Sequence, residues 1–223
     1  MDHTLQVRSV THNFGERNIL SVAEIECRTG EIAVIFGRNG TGKSTLFKIL
    51  FGMLNPNQLE VYIDGEVYYK ATALNKLIAY HPQEIMLPKN MQVGDLMALY
   101  LDKEREDKVY HSEGIRPIHH KRVKNLSLGQ QRYLQFLLVI NLDHHFVLLD
   151  EPFSMVEPLY KDLIKQKLNE YKTHKGFLIT DHYYRDVLDV ADKINLLADG
   201  KIIPIADPQE LVNYKYLTEQ SLT

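Results

Sequence analysis

Four short stretches carry residue types suited to handling phosphates. GRNGTGKST (residues 37–45) follows a β-branched apolar run and opens a helix-like segment, STLFKIL. It satisfies the G-x-x-x-x-G-K-[ST] spacing through Gly37, Gly42, Lys43 and Ser44. Glycine lets such a loop curl so that successive N–H groups, from Asn39 and Gly40 through Thr41 and Gly42 to Thr45, surround phosphate oxygens. In that arrangement Lys43 reaches the β- and γ-phosphates and the Ser44 hydroxyl ligates Mg²⁺.

FVLLDEP (146–152) is a second apolar run, and it ends in two acids. Asp150 falls at the C-terminal end of the expected strand, where α/β sheets place ligand groups, and its carboxylate is a candidate Mg²⁺ ligand. Glu151 points to the other side of the strand end and is a candidate general base for an attacking water. His182 closes a third run, GFLITDH, as a γ-phosphate sensor, and Gln83 follows LIAYHP with an amide that can touch Mg²⁺ or the water. The fourth stretch, NLSLGQQR (125–132), sets Ser127 and Gly129 ahead of an apolar helix. It is a second helix start suited to an anion.

The elements that hold these groups follow from hydrophobic patterning. EIAVIFG, FVLLDEP and GFLITDH are continuous apolar runs, the mark of strands buried on both faces. Helices alternate with them, so the fold class is α/β with a largely parallel sheet. LQVRSVTHNF and ILSVAEIECR alternate polar with apolar residues, as half-exposed strands do. YIDGEVYY and KINLLADGKIIPI carry Asp-Gly turns of hairpins. PLYKDLIKQKLNEY reads as an amphipathic helix from Pro158, with apolar positions 159, 163, 164, 168 and 171. From about 89 to 125 the texture shifts to a mostly helical insertion: MQVGDLMALYLD has helical spacing, and KEREDKVYHSEGIRPIHHKR is polar and irregular.

Composition narrows the classes. A net charge of −3 gives no general attraction to nucleic acid, and HHKR (119–122) reads as a solvated loop. Cys27 is the single cysteine, which rules out an internal disulfide, and it reads as a packing residue. Histidines 111, 119, 120, 144, 145 and 174 lack metal-ligand spacing. No run approaches the roughly 18 apolar residues of a membrane span, and the N-terminus lacks a signal-peptide pattern. The expectation is a cytoplasmic protein that reaches a membrane only through a partner.

Taken in order, the motifs resemble the nucleotide-binding subunit of ABC transporters over nearly the whole chain. Phe14 falls where that family stacks an aromatic on adenine. Then come GRNGTGKST, Gln83 of the Q-loop, LSLGQ (126–130) as the signature, Asp150 and Glu151 of Walker B, and His182 as the switch histidine. The resemblance implies the ABC-type P-loop ATPase fold: a mostly parallel core sheet and an antiparallel β subdomain. A helical subdomain, at approximately 86–140, is inserted between Q-loop and signature in a single domain over 1–223. It implies ATP and Mg²⁺ as cofactors, ATP hydrolysis, and a head-to-tail dimer with itself or a homologous subunit. Ser127, Gly129 and Gln130 would then contact the partner's nucleotide in trans. It also implies permease subunits on separate chains and a peripheral place on the cytoplasmic face of the cell membrane.

Two positions depart from the family pattern. Leu128 stands where LSGGQ has glycine, which removes freedom for positive φ or close approach, and Glu157 replaces the usual D-loop aspartate. A second class of function is an ABC-family ATPase acting on nucleic acid, ribosomes or a protein complex. The single cassette, without long heptads or a basic arm, favours transport.

Overall fold

A computed structural model describes residues 2–218. The chain opens with β1 (Thr4–Phe14), β2 (Arg17–Leu20) and β3 (Ile25–Arg28), followed by β4 (Ile32–Phe36) and α1 (Lys43–Leu50). The hairpin β5 (Gln58–Ile63) and β6 (Glu66–Tyr68) leads through α2 (Ala71–Leu74) to β7 (Ile78–His81). Helices α3 (Val93–Tyr100), α4 (Lys103–Tyr110) and α5 (Leu128–Ile140) separate β7 from β8 (Phe146–Asp150). Then come α6 (Pro158–Tyr171), β9 (Gly176–Thr180), α7 (Tyr184–Leu188), β10 (Lys193–Ala198), β11 (Lys201–Ile205) and α8 (Glu210–Asn213).

The fully buried runs form one six-stranded sheet in the order β11-β10-β4-β9-β8-β7, parallel except for β11. Its strands alternate between two cores, as the period of two requires. Ile32, Val34, Phe36, Val147 and Leu149 pack with the helices of the insertion and with α6, whereas Ala33, Ile35, Phe146 and Leu148 pack with α1 and the antiparallel sheet. That second sheet runs β2-β1-β5-β6, with β3 also paired to β1. With both faces covered, the edge left for chemistry is the row of strand C-terminal ends.

Four local expectations are corrected. ILSVAEIECR is two strands, not one: the chain turns at Val22, φ 59°, and Ser21 N–H is drawn to Gly200 O at 2.8 Å. The stretch after residue 102 is not irregular throughout. It begins with α4, capped by the Asp102 side chain accepting from Arg105 N–H at 2.9 Å. Only Val109 of that helix is buried, so apolar periodicity could not reveal it. On α6, Leu159 is 59% exposed and Tyr160 takes its place in the buried face with Leu163, Ile164, Leu168 and Tyr171. Finally, Leu128 is the first residue of α5 and does not have positive φ, so the glycine usual at this position is not needed for the backbone.

Candidate nucleotide site

The loop from β4 into α1 is built on backbone that side chains would obstruct. Gly40 and Gly42 have φ of 80° and 110°, and a Cβ on Gly42 would sit 2.7 Å from Ile19 Cγ2. A Cβ on Gly37, by contrast, would meet Thr41 Oγ1 at 2.8 Å and Leu197 O at 2.9 Å. Gly42 caps α1 from the left-handed region with no side-chain cap, leaving the first N–H groups of the helix open.

Lys43 is 6% exposed, and its ammonium donates to Gly37 O at 2.6 Å and Arg38 O at 3.2 Å. Burial lowers its pKa, while Glu151, Asp150 and Asp181 pull the other way. An ammonium held by carbonyls at the mouth of a glycine loop fits an anionic ligand such as a nucleotide triphosphate.

The acids at the end of β8 are held differently. Asp150 is 1% exposed and accepts from Thr180 Oγ1 at 2.6 Å and the Tyr80 hydroxyl at 3.2 Å. Burial raises the pKa of the Tyr80 phenol, which keeps it a donor. Glu151 takes a left-handed conformation, φ 53°, fixed by its N–H to Thr180 O at 2.7 Å. Its Oε2 accepts from Gln83 Nε2 at 2.7 Å and Ser154 Oγ at 2.9 Å, and His182 Nδ1 lies 3.4 Å away. Oε2 thus takes all three contacts, and among the described residues no hydrogen bond falls to Oε1.

Two cavities gather the expected residues. The larger, about 490 Å³, is lined by Phe14, by Asn39, Gly40 and Gly42–Thr45 of the loop, and by Gln83, Glu151 and His182. A smaller one, about 170 Å³, shares Ser44 and Gln83 and adds Asp150. A hydroxyl, an amide and a carboxylate are hard oxygen donors of the kind Mg²⁺ takes. Phe14 is 54% exposed, with the edge of His12 against it at 4.6 Å and 87°. Ser127, Gly129 and Gln130 line neither cavity. There the helix start is closed on itself by a capping box: Ser127 Oγ accepts from Gln130 N–H at 3.2 Å, and Gln130 Oε1 from Ser127 N–H at 3.0 Å. Gly129 is small because Tyr160 crosses over it, with a Cβ 3.1 Å from Tyr160 Cδ2.

Sequence reasoning missed the groups that orient these acids. Tyr80 and Thr180 hold Asp150, and Ser154 holds Glu151. Asp181 is fully buried and accepts from the N–H groups of Phe153, His182 and Tyr183 at 2.9, 2.7 and 2.9 Å. Burial raises its carboxyl to about 6 against those N–H groups. The available signal was position: each lies on a strand end or within three residues of a candidate.

Comparison with known proteins identifies the family. Residues 20–154 match the family described as "ABC transporter". The chain is 28% identical to the lipopolysaccharide export system ATP-binding protein LptB of Haemophilus influenzae, covering 97% of this chain and 98% of that protein. It is 25% identical to the sulfate/thiosulfate import ATP-binding protein CysA of Caulobacter vibrioides, over 93% of this chain and 66% of that one. A solved ATP-binding subunit of an ABC transporter shares its fold, with TM-score 0.82, 19% identity and coverage of 95% and 93% of the two chains.

Proposed function

This chain belongs to the ABC transporter family, and from that premise we propose how its residues divide the work. It is an ATP-binding subunit that hydrolyses ATP to power transport. The triphosphate lies on the 37–45 loop and the open start of α1, with Lys43 on the β- and γ-phosphates and the adenine against Phe14. Ser44, Gln83 and Asp150 are the residues that would hold Mg²⁺, which when bound supplies charge neutralisation at the phosphates. Glu151 takes the proton of the attacking water at Oε1, and His182 hydrogen-bonds the γ-phosphate.

The signature serves a partner. Two such subunits, copies of this chain or one copy with a homologue, pack head to tail. Ser127, Gly129 and Gln130 of each then cover the nucleotide on the loop of the other. Hydrolysis removes the bridging phosphate and releases the pair. The chain is one ATP-binding domain whose helical subdomain spans about 86–140. An apolar groove of about 530 Å³, lined by Met53, Met86, Leu87, Leu138 and Leu142 among others, receives a helix of a permease on a separate chain. No helix of the described residues is long and apolar enough to cross a membrane, and the subunit sits peripherally on the cytoplasmic face of the membrane through the permease.

One observation supports this reading: the loop, Gln83, Glu151 and His182 line one cavity, while the second anion-suited helix start lies outside its lining and carries its own capping box. The Glu151→Gln variant tests it. With saturating ATP and Mg²⁺ it is expected to accumulate as a dimer in light scattering, without turnover. A species that stays monomeric overturns the composite site. Recovery of a polytopic membrane protein on purification in mild detergent tests the permease partner.

A further inference from the structure

The residues just after Gln83 are shaped by a side chain rather than by backbone pairing. Among the described residues, no backbone group from 82 to 87 pairs with another backbone group. Gln135, the eighth residue of α5 and 4% exposed, takes over that role. Its Oε1 accepts from Met86 N–H at 2.7 Å, and its Nε2 donates to Pro82 O at 3.3 Å and Glu84 O at 3.2 Å. The same Nε2 lies 3.5 Å from Nε2 of His81, a wholly buried imidazole that burial holds at about 4 and therefore neutral. Three backbone groups on either side of Gln83 are thus satisfied by one amide, and buried polar groups of this kind need a partner.

We infer that Gln135 is a positioning residue for hydrolysis: it fixes the loop that presents Gln83 and ties that loop to the helix that begins with the signature. Gln135 touches neither cavity of the nucleotide site and acts through Gln83. It also lines the apolar groove beside Met86 and Leu87. A helix entering that groove therefore bears on the same hydrogen bonds that set Gln83, and through them on α5. The inference rests on the proposed role of Gln83 at the metal and the water.

The test uses the full chain and compares Gln135→Met, which keeps the volume and removes the hydrogen bonds, with Gln83→Ala. Both are expected to raise the Mg²⁺ concentration for half-maximal ATPase activity about tenfold, the usual cost of losing a group that orients a metal ligand. The KM for ATP should stay within about twofold, because the phosphate loop is untouched. A shift in Gln83→Ala but not in Gln135→Met overturns the inference alone. No shift in either overturns the reading of Gln83 and the inference with it. A measurement on the unaltered protein guards against misfolding of the variants. In hydrogen exchange followed by NMR, the Met86 amide should exchange at least about tenfold more slowly than those of Ile85 and Leu87. Equal rates overturn the proposal.

Discussion

The starts of α1 and α5 answer the same physical problem in opposite ways. Each begins with N–H groups that have no partner within the helix. At α1 the cap is a glycine at φ 110° with no side-chain acceptor, so the N–H groups stay open beside Lys43. At α5 the Ser127 and Gln130 side chains close the end reciprocally. An open end is a site ready for its ligand, while a closed end is stable alone and must exchange internal bonds for external ones. That is the division expected when one helix start holds the chain's own nucleotide and the other meets a nucleotide brought by a partner.

The largest effect should fall on the open end. Lys43→Met should weaken ATP binding by about 100-fold, the loss of a charge-assisted contact, while Ser127→Ala leaves binding to the isolated subunit unchanged. Calorimetric titration of both variants checks this, and equal losses would erase the distinction between the two ends.

The far end of α5 offers a test by pH. The buried ammonium of Lys175 donates to Leu142 O at 2.8 Å and to His144 O at 2.5 Å, and burial brings it down to about 8. The unfolded chain keeps that proton until its ordinary value of 10.5. Between these values the unfolded state binds more protons, so stability should rise with pH from about 8 to 10.5, by up to roughly 3 kcal/mol. Urea midpoints across that range should show the rise in the wild type and lose it in Lys175→Met.

Smaller effects sharpen the contrast at the closed end. Ser127→Ala should cost about 1 kcal/mol of stability through the lost cap and lower kcat about tenfold through the lost trans contact. Melting and steady-state kinetics separate the two. Leu128→Gly, which restores the usual residue at a position already helical, should change stability by less than about 1 kcal/mol. Sedimentation should show its ATP-dependent dimer forming at lower concentration, since a 43% exposed leucine no longer stands in the approach.

What was legible in the sequence was what chain order alone determines. Runs such as IAVIF and FVLLD can be buried only as central strands, and the glycine loop and the acids that follow them can emerge only at one edge. The helix start at Ser127 and the Asp64-Gly65 turn are local and were readable for the same reason. Contacts between distant elements were not. Nothing near Gln83 announces Gln135, and Tyr80 and Thr180 meet Asp150 only because β7, β8 and β9 are neighbours in register. The helix α4 escaped because it buries one residue, and the break in ILSVAEIECR because it is set by Gly200, far along the chain.

Glu151 keeps a conformation that non-glycine residues adopt at a cost, φ 53°, in the middle of a buried site. Selection for stability and selection for turnover therefore pull this position in different directions. Glycine would relax the backbone and remove the carboxylate proposed as the base, whereas a β-branched residue would lose on both counts. The fold gives up some stability here to place one carboxylate, and that loss must be made good by the hydrogen bonds and packing around it.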